Sequence, residues 1–289
     1  MKIPDLSQLV STKHIQETDF GKTTYWRYGN PDSKNKVIML HGYRGDHHGL
    51  EPFAYALPDW DVVIPDLPGF GQSTDLNVDH TIENLAAWLN NFRDLIDPEH
   101  KALILGHSFG TIISSYAFGH GMKAKHLILI NPIPQPALEG SDKFMNMVTN
   151  AYFSFSGWVF EPLGSWLLKH PLMVQIMSSG LAKTKDKEVR KWIHAQHHEY
   201  FSNFDTRKKL LQSYRVSVSN DVAKQAPNID TPTLIIAGAL DVIGPIPMQE
   251  RLAGLFPEAK LIVLNEVGHL AHYEAFDEVA AAMNDLVKN

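Results

Sequence analysis

Short apolar runs alternate with segments of helical periodicity through most of the chain. The runs that we predict to be buried strands lie at 37–40, 61–65, 102–105, 126–130, 233–237 and 260–264. Between them, apolar residues recur every three or four positions, as at Ile82, Leu85 and Leu89, which is the spacing of one helix face. Strands that alternate with helices predict a mostly parallel sheet with helices on both faces.

The first part of the chain has a different pattern. Residues 14–20 and 23–28 are typical of two strands, and Gly21 and Lys22 lie between them. Two strands joined by so short a connection pair antiparallel. We therefore expect a hairpin at one edge of the sheet.

The alternation stops between about residues 133 and 218. This segment shows no convincing strand and is rich in Trp, Phe and Met. Its amphipathic patterns predict helices at 143–153, 162–168, 171–181 and 187–201. The pattern therefore indicates a sheet domain interrupted by an all-helical insertion.

Composition and charge exclude several classes of protein. The 289 residues fit one large α/β domain that carries an insertion. No cysteine is present, so disulfides, thiolate zinc sites and cysteine nucleophiles are excluded. The net charge is −6 and no basic block occurs, so nothing favours nucleic-acid binding. No signal peptide and no apolar stretch long enough to span a membrane is visible, and we expect a cytoplasmic protein.

Gly106-His107-Ser108-Phe109-Gly110 matches the pattern G-x-S-x-G. A serine hydroxyl reacts well only when it is exposed, held rigidly and placed next to a base. A sharp turn from a strand into a helix gives that exposure, and glycine avoids collisions on either side of the turn. An apolar run precedes Ser108 and a helical pattern follows it at 111–118. We therefore predict that Ser108 is a nucleophile on such a turn.

The chain resembles the α/β-hydrolase superfamily in this motif and in two others. Asp241 follows the strand predicted at 233–237, and Gly268-His269 follows the last predicted strand. The order nucleophile, acid, histidine is that of the superfamily, and the resemblance covers nearly the whole chain outside the helical insertion. It implies an α/β-hydrolase fold with a mostly parallel eight-stranded sheet, helices on both faces and an all-helical cap.

The resemblance also implies the domain boundaries and the activity. Residues 1–132 and 219–289 would form the core domain, and residues 133–218 the cap, or lid. The activity would be that of a carboxylesterase-like serine hydrolase.

The chemistry of acyl transfer assigns a role to each of these residues. His269 would take the proton of Ser108 and return it to the leaving group, and Asp241 would fix its tautomer. The resemblance places the oxyanion hole at the backbone N–H groups of Tyr43 and Phe109. Gly106 and Gly110 would be the glycines of the elbow.

Other polar residues near these motifs are interpreted as structural. His41 would brace its loop, His107 would pack, and His272 would lie near the start of the closing helix. Glu274 occupies a position where the superfamily often has an acidic residue, and Asn131 stands where some relatives carry the acid. The turn at 66–73 is interpreted as structural.

The polar loop that follows Tyr43 admits two interpretations. Residues 44–48 either line the mouth of the site or form a solvated loop with a local contact between Arg44 and Asp46, and the second is slightly favoured.

Metal and cofactor chemistry is not indicated. None of the clusters among the fifteen histidines matches a known zinc motif, and no phosphate-binding loop occurs. We expect no metal and no cofactor. The partner we expect is a small-molecule substrate, and the sequence leaves the oligomeric state open.

The leading hypothesis is hydrolysis of a carboxylic ester of a small, largely apolar substrate through an acyl-enzyme. The same triad also serves C–C, thioester and amide hydrolases, and the fold alone does not discriminate between them. An acidic substrate would be favoured if Arg190, Lys191 or Arg215 of the cap reached the site. A ligand-binding receptor that retains the fold without catalysis is the third hypothesis.

Overall fold

The computed structural model describes residues 2–136 and 143–288. Eight strands form one sheet, and they are β1 (Ser11–Thr18), β2 (Gly21–Gly29), β3 (Lys36–Leu40), β4 (Asp61–Pro65), β5 (Leu103–His107), β6 (Leu127–Ile130), β7 (Thr233–Gly238) and β8 (Ala259–Leu264). Their order across the sheet is β1-β2-β4-β3-β5-β6-β7-β8. β2 pairs antiparallel with β1 and β4, and every later pair is parallel. The predicted mostly parallel sheet is confirmed.

The hairpin at the sheet edge turns two residues earlier than predicted. Thr18 pairs with Gly21, so Asp19 and Phe20 form the turn instead of Gly21 and Lys22. The hydroxyl of Thr18 closes it by donating to the carbonyl of Gly21 and accepting from the N–H of Phe20. Phe20, the predicted end of the first strand, lies in this turn and packs against the core from there.

Eleven α-helices occur within the described residues, and they are α1 (Glu51–Ala56), α2 (Ile82–Ile96), α3 (Phe109–Gly119), α4 (Lys143–Trp158), α5 (Glu161–Lys169), α6 (Pro171–Leu181), α7 (Lys187–Tyr200), α8 (Arg207–Ser219), α9 (Ile246–Ala253), α10 (Ala271–Glu274) and α11 (Phe276–Lys288). None of them combines the length and the apolar character that crossing a bilayer would require.

Helices cover both faces of the sheet because side chains alternate along each strand. In β3, Ile38 and Leu40 belong to a buried cluster with residues of α2 and α3. Val37 and Met39 point the other way, into a cluster with residues of α1 and α11. The two layers fix the sheet between them, so the carboxyl ends of the parallel strands form one rigid edge.

Five helices, α4 to α8, lie between β6 and β7. Four of them were predicted, and α4 continues five residues beyond the predicted end at Phe153. Residues 137–142 of the proposed cap lie outside the described residues. The helix α8 was not predicted, because Tyr214, Val216 and Val218 alternate with polar residues and do not follow the spacing of one helix face.

Candidate active site

Ser108 lies on a strained turn between β5 and α3. Its backbone angles are φ 52° and ψ −113°, a conformation that a non-glycine residue rarely adopts. A Cβ on Gly106 would lie 2.6 Å from the carbonyl atoms of Gly110, and one on Gly110 would lie 2.9 Å from the carbonyl carbon of Leu40. Glycine at both positions therefore lets β5, α3 and β3 approach closely enough to hold the turn.

Ser108, His269 and Asp241 form one hydrogen-bonded row. The Oγ of Ser108 lies 2.8 Å from Nε2 of His269, and Nδ1 of His269 lies 2.8 Å from Oδ2 of Asp241. Asp241 follows β7 and His269 follows β8, so neighbouring parallel strands deliver both side chains to the same sheet edge as Ser108. Both His269 and Asp241 are buried, whereas Ser108 is partly accessible.

The carboxylate of Asp241 is held in its charged form. Burial alone would raise the pKa of Asp241, but the contact with His269 and the backbone N–H groups of Ile243 and Gly244 outweigh it and lower the pKa. The N–H of Ile243 donates to Oδ1 over 2.8 Å. The carboxylate therefore stays an acceptor for the ring N–H of His269.

Asn131 joins the two loops that carry Asp241 and His269. Its Oδ1 accepts from the N–H of Gly238 at 2.8 Å, and its Nδ2 donates to the carbonyl of Gly268 at 2.9 Å. Asn131 has a φ of 44°, in the left-handed region that asparagine tolerates better than most residues. At the position where some relatives carry the acid, this chain has a structural brace.

Glu274 supports the histidine loop from the opposite side. Its carboxylate accepts from the N–H of Gly268 at 2.6 Å and from the N–H groups of Lys183 and Thr184, which lie between α6 and α7. Glu274 thus ties His269 to the helical segment. The sequence indicated an acidic residue here but not this contact, because Lys183 is 91 residues away along the chain.

The loop after β3 lies against Ser108. A Cβ on Gly42 would be 3.4 Å from the Cβ of Ser108, and Tyr43 and Phe109 line the same cavity as Ser108. Phe109 is the first residue of α3, so its N–H has no acceptor in the preceding turn. His41 braces the loop as expected, since Nε2 accepts from the N–H of Leu67 and Nδ1 bonds the carbonyl of Gly42.

The interpretation of residues 44–48 as a solvated loop is wrong. Arg44 is only 1% exposed, and its guanidinium donates to the carbonyls of Leu168 and Phe201 and to the hydroxyl of Ser202, not to Asp46. Asp46 instead caps the turn that follows, accepting from the N–H of His48. Sequence adjacency suggested a local ion pair, whereas the partners of Arg44 belong to the helical segment.

His107 contributes more than packing. It is buried, and its Nε2 donates to the carbonyl of His269 at 3.0 Å. Burial first, and then the neighbouring His269, lower the pKa of His107 to about 3, so the ring is neutral at physiological pH. His107 therefore helps to hold the backbone of His269 in place.

A cavity of about 220 Å³ opens above Ser108. The helical segment forms its roof through Phe153 of α4, Met177 of α6, Tyr200 of α7 and Tyr214 of α8. Most of the wall is apolar, and no lysine or arginine of the described chain lines it. Arg190, Lys191 and Arg215 therefore do not reach the cavity, and Arg190 instead donates to the carbonyl of Thr184.

One group of candidate metal ligands lies near the cavity. Ligand atoms of Asp46, His47 and His48 lie within 4.8 Å of one another. The Nδ1 of His47 is bonded to Asp66 at 2.8 Å, and the Nδ1 of His48 to Asp46 at 3.0 Å. These contacts hold the two rings against the carboxylates of Asp66 and Asp46.

Comparison with known proteins identifies similar hydrolases. The family model of the alpha/beta hydrolase fold matches residues 35–276. Lipase 1 of Psychrobacter immobilis is 25% identical over 271 residues, which cover 90% of this chain and 78% of that protein. The pimeloyl-[acyl-carrier protein] methyl ester esterase of Stenotrophomonas maltophilia (strain K279a) is 25% identical over 257 residues, covering 87% of this chain and 92% of that protein.

A solved structure shares the fold. The esterase EaEST from Exiguobacterium antarcticum superposes with a TM-score of 0.77 at 19% sequence identity, covering 96% of this chain and 100% of that chain.

Proposed function

Because this chain belongs to the α/β-hydrolase family, we propose that it cleaves carboxylic esters of small, largely apolar molecules through an acyl-enzyme on Ser108. The observation that carries the proposal is the hydrogen-bonded row of Ser108, His269 and Asp241, with 2.8 Å at each step. The similarity to esterases and lipases supports the same reaction class.

The proposed reaction begins when Oγ of Ser108 attacks the ester carbonyl carbon while Nε2 of His269 takes the hydroxyl proton. The carbonyl oxygen becomes an oxyanion, which the N–H groups of Tyr43 and Phe109 would stabilise. The protonated His269 then gives its proton to the leaving alcohol as the C–O bond breaks. Water repeats the sequence on the acyl-enzyme and releases the acid. Asp241 keeps Nε2 of His269 free to accept the proton throughout.

The lining of the cavity favours a substrate without a permanent charge. Most of its wall surface is apolar, with side chains such as Leu181 and Ile243, and none of the described lysines or arginines reaches it. A buried carboxylate without a cationic partner would be costly. Small esters with an apolar acyl or alcohol group are therefore the class that fits.

The helices α4 to α8 would act as the cap. They supply the roof of the cavity over Ser108, and excluding water from such a site strengthens the electrostatic stabilisation of the oxyanion. We keep the boundaries inferred from the sequence, with residues 133–218 as cap and residues 1–132 and 219–289 as core.

The direct test is labelling with an alkyl fluorophosphonate, read as the mass of the modified peptide. The probe should modify Ser108, and Ser108→Ala should abolish both labelling and hydrolysis of 4-nitrophenyl butyrate. Ser217 lines the same cavity, and its hydroxyl donates to the carbonyl of Tyr214, so Ser217→Ala is the matched control that should keep both. A wild-type protein that resists the probe and cleaves no ester overturns the proposal.

The same preparation should be tested on matched thioester and amide substrates. The proposal predicts the highest kcat/KM for the ester. A thioester or amide that is turned over faster than the ester would assign the triad to that bond instead.

A further inference from the structure

Two polar residues of α10 lie in the wall of the cavity above Ser108. His272 is 5% exposed and Tyr273 is 3% exposed, and both line the cavity. The ring of His272 lies 4.2 Å from the ring of His107, and the ring of His107 lies 5.5 Å from that of His269. His272 is thus separated from the proposed base by one imidazole ring.

One side-chain polar atom of His272 has no hydrogen-bond partner within the described chain. Nδ1 of His272 is fully buried and makes no hydrogen bond, and the adjacent residue Tyr273 lines the same cavity. The neighbouring histidines differ, because His107 bonds the carbonyl of His269 and His197 bonds the hydroxyl of Ser178. Buried polar groups of native proteins are nearly always paired, and an unpaired one in a cavity wall is a place for a ligand atom or a water.

The chemistry of the missing partner follows from the charge of this region. The pKa of His272 lies well below its ordinary value, mainly because the ring is buried. The neighbouring rings of His107, His197 and His269 lower this pKa further. The imidazole is therefore neutral and offers one N–H donor and one acceptor nitrogen. Burial also raises the pKa of Tyr273, which keeps its hydroxyl a donor. A neutral oxygen, as in a hydroxyl or a carbonyl, matches these groups better than a carboxylate does.

We propose that His272 and Tyr273 form a subsite that binds a neutral oxygen-bearing group of the ester substrate, away from the bond that is cleaved. The proposal rests on the proposed function and narrows its substrate class to esters that carry a second oxygen function, a hydroxyl or a carbonyl. Both residues act on specificity and take no part in the proton transfers.

A second unpaired group in the same cavity provides a comparison. The hydroxyl of Tyr214 is buried without a hydrogen-bond partner within the described chain, and its ring stacks on Phe153 in the roof with the ring centroids 3.8 Å apart. Tyr214 supplies a single atom, whereas His272 and Tyr273 are adjacent and together supply donors and an acceptor. We therefore assign the subsite to α10 and use Tyr214→Phe as the position-matched control.

The test compares 4-nitrophenyl hexanoate with its analogues that carry one hydroxyl at carbon 3, 4, 5 or 6. Wild-type protein should prefer one of the hydroxylated esters by roughly 10-fold in kcat/KM, mainly through a lower KM, because one buried hydrogen bond is worth about that factor. Tyr273→Phe and His272→Phe should each reduce the preference, measured as the ratio of kcat/KM between the hydroxylated and the plain ester, to within about 2-fold. His272→Asn, which restores a donor and an acceptor, should recover part of the preference.

The outcomes separate this proposal from the one on which it rests. Equal kcat/KM for all the esters overturns the subsite, and so does a preference that survives both phenylalanine variants or that disappears in Tyr214→Phe. In each of these cases the fluorophosphonate still labels Ser108. Tyr273→Phe removes one oxygen and no carbon, so it tests the subsite even if His272→Phe fails to fold. A wild-type protein that resists the probe removes the proposed function and the subsite together.

Discussion

Asp241 influences the proposed reaction only through His269, which makes its amide variant informative. In Asp241→Asn the amide N–H would face Nδ1 of His269, where a carboxylate now accepts the Nδ1–H. The imidazole would then carry its proton on Nε2, which could no longer accept the proton of Ser108. The lowered pKa of Asp241 means that wild type keeps the carboxylate over the whole neutral and mildly acidic range. We expect kcat on 4-nitrophenyl butyrate to fall by about 10³–10⁴-fold with an unchanged circular dichroism spectrum.

A buried aspartate at the other end of the sheet serves as the control for this prediction. Asp97 lies at the amino end of the strands and accepts from the N–H of Ala102 and from Lys36. Asp97→Asn should lower stability and leave kcat within a factor of about 2, since it does not touch the triad. A loss of kcat that is equal in the two variants would contradict the role proposed for Asp241.

Asp75 should destabilise the folded protein at neutral pH. Burial raises its pKa to about 6, against the hydrogen bond from Thr206, and its buried Oδ1 makes no hydrogen bond within the described chain. The folded state therefore binds a proton more tightly than the unfolded chain does, and stability falls as pH rises from about 4 to 6. Above pH 6 the free energy of unfolding of Asp75→Asn should exceed that of wild type by about 1 kcal/mol. This value is reduced because the carboxyl group is partly in contact with solvent.

Urea unfolding of both proteins between pH 4.5 and 8 checks this difference. The two curves of stability against pH should converge towards the acidic end of the range. A difference that is constant with pH would show that the proton on Asp75 is not its origin.

Residues whose role depends on local sequence were predictable, and residues with distant partners were not. Ser108, Asp241 and His269 each follow an apolar strand, so their convergence at one sheet edge follows from the parallel topology. Arg44 could not be interpreted in the same way, because its partners Leu168 and Ser202 are 124 and 158 residues away. The catalytic roles themselves remain predictions.

At the scale of elements, Arg44 connects the proposed oxyanion loop to three parts of the helical segment. Its guanidinium reaches the end of α5 at Leu168, the sulfur of Met177 in α6 and the carbonyl of Phe201 after α7. The neighbouring residue is Tyr43, whose N–H is a proposed oxyanion donor. A change at Arg44 should therefore alter the roof of the cavity and the oxyanion hole together.

Arg44→Lys tests this connection. A lysine keeps the charge but cannot donate to all of these acceptors from one rigid plane. We expect kcat/KM for short esters to fall by about 10-fold or more, below the 10²–10³ that follows complete loss of an oxyanion donor. The matched control is Arg207→Lys, since Arg207 bonds the carbonyls of Ser156 and Val159 within the helical segment and is not adjacent to the loop. Equal effects of the two variants would contradict a specific link to the oxyanion loop.

Elements were predicted where their periodicity was unambiguous. The central strands are short, apolar and bounded by turn residues, and all were found near their predicted positions. The helix α1 has only six residues and α9 only eight, too few for a periodic pattern to stand out. The ends of the hairpin strands depended on a turn whose geometry is set by a threonine side chain.

At the scale of the whole molecule, the sheet and the helical segment differ in how their faces are buried. Every residue of β5 is buried, and helices pack on both sides of it. Phe155, Trp158 and Trp166 of α4 and α5 are more than half exposed. Few buried apolar contacts and an open outer face lower the free energy of local opening.

Hydrogen exchange followed by mass spectrometry should therefore resolve two levels of protection. Amides of α4, α5 and α6 should exchange faster than those of β3, β5 and β6. Labelling Ser108 with a long-chain alkyl phosphonate fills the cavity, so exchange should slow in 149–153, 177–181 and 196–201, whose side chains line it. Ser108→Ala treated with the same probe is the control and should show no change. A lid that opens independently must exchange independently of the layer on which it closes. If the helices and the sheet instead exchange at the same rate and the label protects neither, the helical segment is not a separate mobile lid.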